Sequence, residues 1–561
     1  MDDIEARILI SNLLARVIPD STGSMSLPGT LTAGELQALK VAAVKLGATP
    51  VTMQEPPLPV TAFIDAAEKA QMTAASQSNP SLDISVLTLP PVDGMRLCLD
   101  FGTAMSKATL VLDGEIEQIL VLELGKPGDQ EQDSLVMLIS SVYIDNAGLI
   151  WFGRSAIDHS MAEAGNGTRQ RLDNIKRRLS EDGFDDIVRA PIYAPAGVEV
   201  TYGEMILAYL MFLTWATNRS LESRGFTRNI KRRFAMPCFP SDKSRDVSHG
   251  LRKMLGEAQV LADSFSDSMT TGIPVGIFAR AVKEVKSAKY EYSFIAEDIT
   301  EPLGVAGALL SWRNRVDMLA MVIDVGAGTS DLSLYRILVD PDKGNNIAQE
   351  VAFSARGITE AGNYLDRLLI EFILQKAGIT STDKDAMIAR GRLELNIRDY
   401  KETLFNEEFV FVALPNARDV EVDLNDFLEL EAVRGFGKSL SNAAKEILES
   451  VDHSIVDWVL ANPARYLTVV LTGGGAMLPM VKSLAKDPIM VRDQRIPVQA
   501  ALPFPSWLQS EYSDLKDDFA RIAVSLGGAR KRLVQRGSGT SILGGDITRP
   551  PKLGGYYQKG I

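Results

Sequence analysis

The sequence predicts an α/β fold with two similar halves, on three observations. Short β-branched runs come in bursts: RLCLDFG, KATLVLDG, EQILVLEL and LVMLISSVYIDNAGLIWFG after Gly94, then a second burst from MLAMVIDVGAGTSDLSLYRI. Helical spacing follows each burst, around 168–180 and 203–223 after the first and over 360–376 and 384–405 after the second. The leading hairpins also repeat, because aligning Asp100 with Asp324 aligns Gly102 with Gly326, Ser106 with Ser330 and Leu110 with Leu334. Strands in bursts separated by helices argue for α/β layers rather than a bundle or a sandwich.

The elements follow in order. Ile4, Ile8, Leu9 and Leu13 sit at helical spacing over 2–18, and Thr32 with Glu35 has capping-box spacing ahead of a second helix that stops at Gly47. Gln54–Pro59 and Met72–Pro91 are rich in Pro, Ser and Ala, so 1–92 reads as a helical extension followed by a linker. Asp145-Asn146-Ala147-Gly148 reads as a hairpin turn, RRFAMPCF as a strand, and 531–561 as a Gly-rich tail.

Composition narrows the function. At 561 residues the chain exceeds one compact unit, and about 150 residues per domain gives roughly three or four. A net charge of −13, from 59 Lys+Arg against 72 Asp+Glu, disfavours nucleic acid as a partner. Two cysteines, Cys98 and Cys238, exclude a disulfide scaffold and a Cys-based zinc site, and His159, His249 and His453 lie too far apart for a local metal motif. The acidic N-terminus lacks the basic start of a secretory signal, and no run of 18 apolar residues is present. The expectation is a cytoplasmic protein without a membrane span.

The repeated hairpins carry the chemistry. Each is an apolar strand ending in Asp, then Gly, then small or hydroxyl residues, then another strand. A Gly-bearing bend lets backbone N–H groups converge on an anion. The Asp beside that anion would repel phosphate unless a divalent cation lies between, and hydrated Mg²⁺ answers that need. Two such hairpins face to face would grip a di- or triphosphate. A third element, YLTVVLTGGGAMLP, breaks from a strand into Gly473-Gly474-Gly475 before a helix. Each element alone reads more readily as turn chemistry, whereas the three in this order do not. No G-x-x-x-x-G-K-[ST] motif is present, which argues against a P-loop.

These motifs resemble those of the actin/sugar-kinase/heat-shock ATPase superfamily, with LDFGTAMSKATL similar to its first phosphate loop, VIDVGAGTSDLS to its second and VVLTGGGAMLP to its adenosine loop. The closest resemblance is to the nucleotide-binding domain of DnaK-type (Hsp70-like) chaperones. SSVYIDNAGLIWFGRSA, NIKRRLS, FAMPCFPSDKSR, ITEPLGVAGALL, GNYLDRLLIEFI and RDYKETLF follow in that family's order over about 95–530. The resemblance implies a two-lobed, actin-like fold (duplicated ribonuclease H-like) with lobe I at 93–302, lobe II at 303–505 and a closing helix at 506–530. It implies ATP/ADP and Mg²⁺ as ligands and slow hydrolysis.

Residue by residue, the resemblance implies that Asp100 and Asp324 hold hydrated Mg²⁺ and orient the attacking water. Gly102, Thr103, Ala104, Gly326, Ala327, Gly328 and Thr329 would wrap the phosphates, with Asp331 bracing the second loop. Lys176 would lie by the γ-phosphate and Glu301 near the metal through water. Gly362, Lys401, Gly473, Gly474 and Gly475 would face the adenosine. From composition alone, Lys176 with Arg177 and Arg178 reads equally as a solvated basic helix face. The sequence departs from the family at Ala327, usually glycine, at Arg398 and Glu402 flanking Lys401, and at Tyr364, usually acidic.

The closing helix is not followed by the acidic-leucine linker and β-rich peptide-binding domain of those chaperones. The surface for a protein client or partner is therefore expected on 1–92, on the ATPase lobes or in a separate protein. Nucleotide-driven lobe closure passed to a partner is the leading expectation. An actin-like filament former, a small-molecule kinase of the same superfamily and a nucleotide-gated scaffold are the rivals.

Overall fold

The computed structural model describes residues 81–125, 135–163, 169–179, 183–239, 241–343, 345–380, 382–383, 386–414 and 418–537, together with 18–19 and 25–26. The chain divides into two compact units, Met1–Ser78 and Asn79–Ile561. In the first, Ile18–Pro19 and Met25–Ser26 pair antiparallel. The helices expected over 2–18 and up to Gly47, the linker segments before 81, and the tail beyond 537 lie outside the described residues.

The second unit is mixed α/β and contains two six-stranded mixed sheets of the same topology. In the first, β1 (Val92–Asp100) and β2 (Met105–Leu112) form an antiparallel hairpin. β3 (Gln118–Val121) extends it antiparallel beyond β2. On the other side of β1, β4 (Ile230–Met236) and β5 (Ile295–Thr300) add parallel. The second sheet repeats this with β6 (Val316–Val325), β7 (Ser330–Asp340) and β8 (Asn345–Glu350) antiparallel, then β9 (Leu467–Thr472) and β10 (Val498–Ala500) parallel. The strand orders, β3-β2-β1-β4-β5 and β8-β7-β6-β9-β10, correspond one to one. Even the short sixth strands match: Leu138–Ile139 pairs with the start of β2, and Arg356–Ile358 with the start of β7.

Two helices lie between the sheets: α2 (Glu301–Leu309) and α6 (Phe519–Ala529). Leu303, Val305, Ala306, Ile522, Ala523 and Leu526 share one core with Cys98 and Val111 of the first sheet and Ala320, Val322 and Tyr335 of the second. The helices cross at their small residues, where a Cβ added to Gly304 would meet the Val524 carbonyl oxygen at 2.6 Å. The outer face of the first sheet is covered by α1 (Tyr202–Ser223), buried along most of its length. A capping box starts α1, with Glu204 N donating to Thr201 Oγ1 at 3.1 Å and Thr201 N donating to Glu204 Oε2 at 2.8 Å. Behind the second sheet pack α3 (Gly362–Lys376), α4 (Ala386–Glu407) and α5 (Glu431–Ser450). Cys98 and Cys238 are buried and form no disulfide.

One expectation fails. The helix expected around 168–180 is, among the described residues, a single 3₁₀ turn at Ile175–Leu179. Ahead of it the chain is extended, because Leu172 bridges Val142, Arg169 donates to Pro191 O, Arg171 to Leu395 O and Ser141 Oγ to Asp173 Oδ1, while Arg171 and Asp173 also pair with each other. Long-range hydrogen bonds there replace the local ladder that a helix needs.

Candidate functional site

The site lies at the C-terminal ends of β1, β6 and β9, where open α/β sheets place ligands. Each hairpin bends immediately after its aspartate. In the first, Ser140 N donates to Ala104 O at 2.8 Å and Ser140 Oγ to Gly102 O at 2.8 Å. In the second, Gly326 N donates to Thr329 O at 3.0 Å and Ser330 Oγ to Glu360 O at 2.7 Å. The two bends touch. A Cβ on Gly328 would lie 2.6 Å from Thr103 Oγ1, so the second loop has no room for a side chain where it meets the first.

The other predicted residues gather around this contact. Gly475 N donates to Val325 O at 2.8 Å, and Gly473, in the left-handed region at φ +83°, packs its Cα against the Asp324 carboxylate. Gly474 is exposed, with open space where a Cβ would be. Gly362 N donates to Gly326 O at 3.0 Å and Asn363 N to Ala327 O at 2.8 Å, which seats the start of α3 on the second loop. Lys401 Nζ lies 2.6 Å from Asp366 Oδ1 and donates to Gly362 O at 3.2 Å, so it braces α3 from α4.

Lys176 is buried and donates to Glu301 Oε1 at 2.6 Å, with Phe101 5.6 Å away under the ammonium. The solvated-face reading of Lys176 is therefore corrected: its turn points inward. Burial disfavours its charge, but Glu301, Asp100 and Asp331 together outweigh burial and hold its proton more tightly than usual. Asp324 is pushed well above the carboxylate range, by burial first and then by Glu301, Asp331 and Asp100. Burial and Glu301 raise Asp331 to about 7, against the N–H of Cys238, the Thr329 hydroxyl and Lys176. Asp100, Asp324, Asp331, Glu301 and Lys176 thus lie close enough to act on one another's charge.

Sequence reasoning missed three features. Lys107 pairs across the hairpin with Asp100, its Nζ 3.4 Å from Asp100 Oδ2, and it pulls against the rise of Asp324. Cys238 N donates to Asp331 Oδ1 at 2.7 Å and anchors that carboxylate from beyond the end of β4. Asn174 accepts from Asn363 Nδ2 at 2.9 Å and from Arg398 Nη2 at 3.0 Å. Lys107 had a signal, since it stands where the second hairpin has Asp331; the others depend on tertiary approach.

The donor set fits a hydrated divalent cation. Asp331 Oδ2 is buried without a hydrogen-bond partner, beside carboxylates that repel one another. Among the described residues no group of three or more His, Cys, Asp or Glu could hold a metal ion directly. An open groove of about 460 Å³ lies at the opposite end of β1. Its charges are paired as Arg96–Asp113, Lys231–Asp93 and Arg233–Glu297, and it holds none of the predicted residues. No family model matches the chain. No helix among the described residues is long and apolar enough to cross a membrane.

Proposed function

We propose that the chain binds and slowly hydrolyses ATP in an actin-like, two-lobed fold closest to the nucleotide-binding domain of Hsp70-like chaperones. Lobe I would span 93–302 and lobe II 303–505, with 506–530 returning to lobe I. Nucleotide state would set lobe closure, and closure would set the binding of a protein partner or client. One observation carries this reading: two topologically equivalent sheets bring Asp100 and Asp324 to touching loops, with the buried Lys176–Glu301 pair beside them.

In this reading the N–H groups of Thr103–Ala104 and Ala327–Thr329 receive the phosphates, with the hydroxyls of Thr103 and Thr329 alongside, while the N–H groups of Gly102 and Gly326 are spent inside the bends on Ser106 Oγ and Thr329 O. Asp100 and Asp324 orient the water that attacks the γ-phosphorus, and the bond to the β-γ bridging oxygen breaks with its electron pair leaving on ADP. Lys176 supplies fixed positive charge to the γ-phosphoryl oxygens, and Glu301 keeps that ammonium protonated and aimed. Mg²⁺, when bound, neutralises the phosphates against Asp100 and Asp324. Gly473–Gly475 and Lys401 border the nucleoside. Closure follows from contacts that γ-phosphate makes with both loops and ADP does not.

The test is calorimetric titration of the full chain with Mg·ATP, followed by single-turnover hydrolysis. Saturable binding that Asp324→Asn and EDTA both weaken is expected, with slow phosphate release. Equal affinity with and without EDTA would contradict the metal role, and absence of ATP binding would end the reading.

A further inference from the structure

We infer that Asn174 is a positioning residue for Lys176, clasped from the opposite side of the site by Asn363 and Arg398. The inference rests on the ATPase reading for its catalytic consequence, though not for its geometry. Lys176 sits on a five-residue 3₁₀ turn, and such turns hold themselves weakly. Its aim must come from what grips the chain just before it.

That grip has two sides. Toward the first sheet, Leu172 N donates to Val142 O at 2.9 Å and Ser141 Oγ to Asp173 Oδ1 at 2.7 Å. Toward α3 and α4, Arg398 Nη2 donates to Asp173 O at 3.2 Å and to Asn174 Oδ1 at 3.0 Å, while Asn363 Nδ2 donates to the same oxygen at 2.9 Å. Asn174 Oδ1 is thus where donors from two helices of the second sheet meet, two residues ahead of Lys176. Its own carbonyl receives Arg177 N at 3.1 Å and opens the turn.

The clasp also reaches the second loop, because Asn363 N donates to Ala327 O at 2.8 Å. A continuous path runs from Ala327 through Asn363 and Asn174 to the Lys176 turn. A phosphate that settles the second loop therefore settles Lys176 with it. Losing the clasp should let the ammonium drift from Glu301, and a displacement of about 1 Å at a catalytic group can cost up to about 10²-fold.

Four variants of the full chain test this: Asn174→Leu, Asn174→Asp, Arg398→Met and Lys176→Ala. Asn174→Leu removes the acceptor at nearly constant shape, whereas Asn174→Asp keeps an oxygen for both donors. The first readout needs no nucleotide: brief acylation of amines, with Lys176 modification measured by mass spectrometry. Wild type and Asn174→Asp should protect Lys176, and Asn174→Leu and Arg398→Met should label it several-fold faster at unchanged melting temperature. The second readout is turnover, where Asn174→Leu and Arg398→Met should lower kcat about 10-fold or more with little change in KM. In a Lys176→Ala background the Arg398→Met effect on kcat should vanish.

Unchanged labelling in both clasp variants overturns the proposal even if ATP is hydrolysed. An Arg398→Met loss that persists fully without Lys176 also overturns it, by showing general structural damage. Faster labelling in a chain that never binds ATP keeps the positioning role and removes the ATPase reading.

Discussion

The two hairpins share a backbone plan and differ in the charge they place across it. In the first, Asp100 stands opposite Lys107; at the matching register in the second, Asp324 stands opposite Asp331. The first hairpin therefore carries its own cation, 3.4 Å from its carboxylate. The second places two buried acids side by side, and both retain protons beyond the usual carboxylate range. One sheet topology thus yields a self-neutralised arm and an arm that needs a cation from elsewhere. Lys176, bonded to Glu301, acts on Asp331 of the second arm as well as on Asp100 of the first, and a hydrated metal ion would complete the second arm.

The largest expected effect follows from this difference. Lys176→Ala should retain ATP binding and lose on the order of 10²-fold or more in single-turnover hydrolysis, as for removal of a preorganised electrostatic donor. Lys107→Ala should lose far less turnover, because its ammonium is held by Asp100. If the two variants lost turnover equally, the division between a self-neutralised and a borrowed charge would be wrong.

Lys107 should instead matter for folding. Its removal leaves Asp100 buried without the ammonium, a cost of about 2 kcal/mol. The expected result is a lower urea midpoint for Lys107→Ala, recovered in large part by adding Asp100→Asn. A Lys107→Ala chain as stable as wild type would show that the pair contributes little.

These two lysines mark what the sequence could reveal. The repeat that aligns Asp100 with Asp324 was visible in the order of apolar, acidic and glycine residues, because a strand ending in a tight bend leaves a local signature. The alternation of strand bursts and helices was legible for the same reason. Lys176 was ambiguous: a basic triplet looks the same whether its turn faces water or a carboxylate 125 positions away. The expected helix around it failed because Asp173 and Asn174 give their oxygens to Ser141, Asn363 and Arg398, partners that only the fold supplies. Cys238 escaped notice because its contribution is a backbone N–H, which side-chain identity does not encode.

The acid pair also sets a pH dependence. Asp331 begins to hold a proton near 3.8 in an unfolded chain and near 7 in the fold. The folded state therefore binds the extra proton between those values, and stability from this group is full below about 4 and lost as pH rises through about 7. The melting temperature of the nucleotide-free chain should fall between pH 5 and pH 8, and Asp331→Asn should flatten that fall. Mg·ATP should restore stability most at pH 8, where Asp331 has lost its proton. A wild-type profile rising over this interval, with Asp331→Asn unchanged, would place the pair's protons elsewhere.

The smallest effect probes where the arms touch. A methyl on Gly328 would sit 2.6 Å from Thr103 Oγ1 and 3.0 Å from its Cγ2, both at the end of a side chain rather than in backbone. Thr103 can yield by a few tenths of an ångström, so Gly328→Ala should cost about 1 kcal/mol of stability and weaken ATP modestly. Thr103→Ala should relieve the clash, making Gly328→Ala less harmful in the double variant than alone. Additive losses would mean that the loops do not press on each other in solution, and the two arms would then be neighbours without being a clamp.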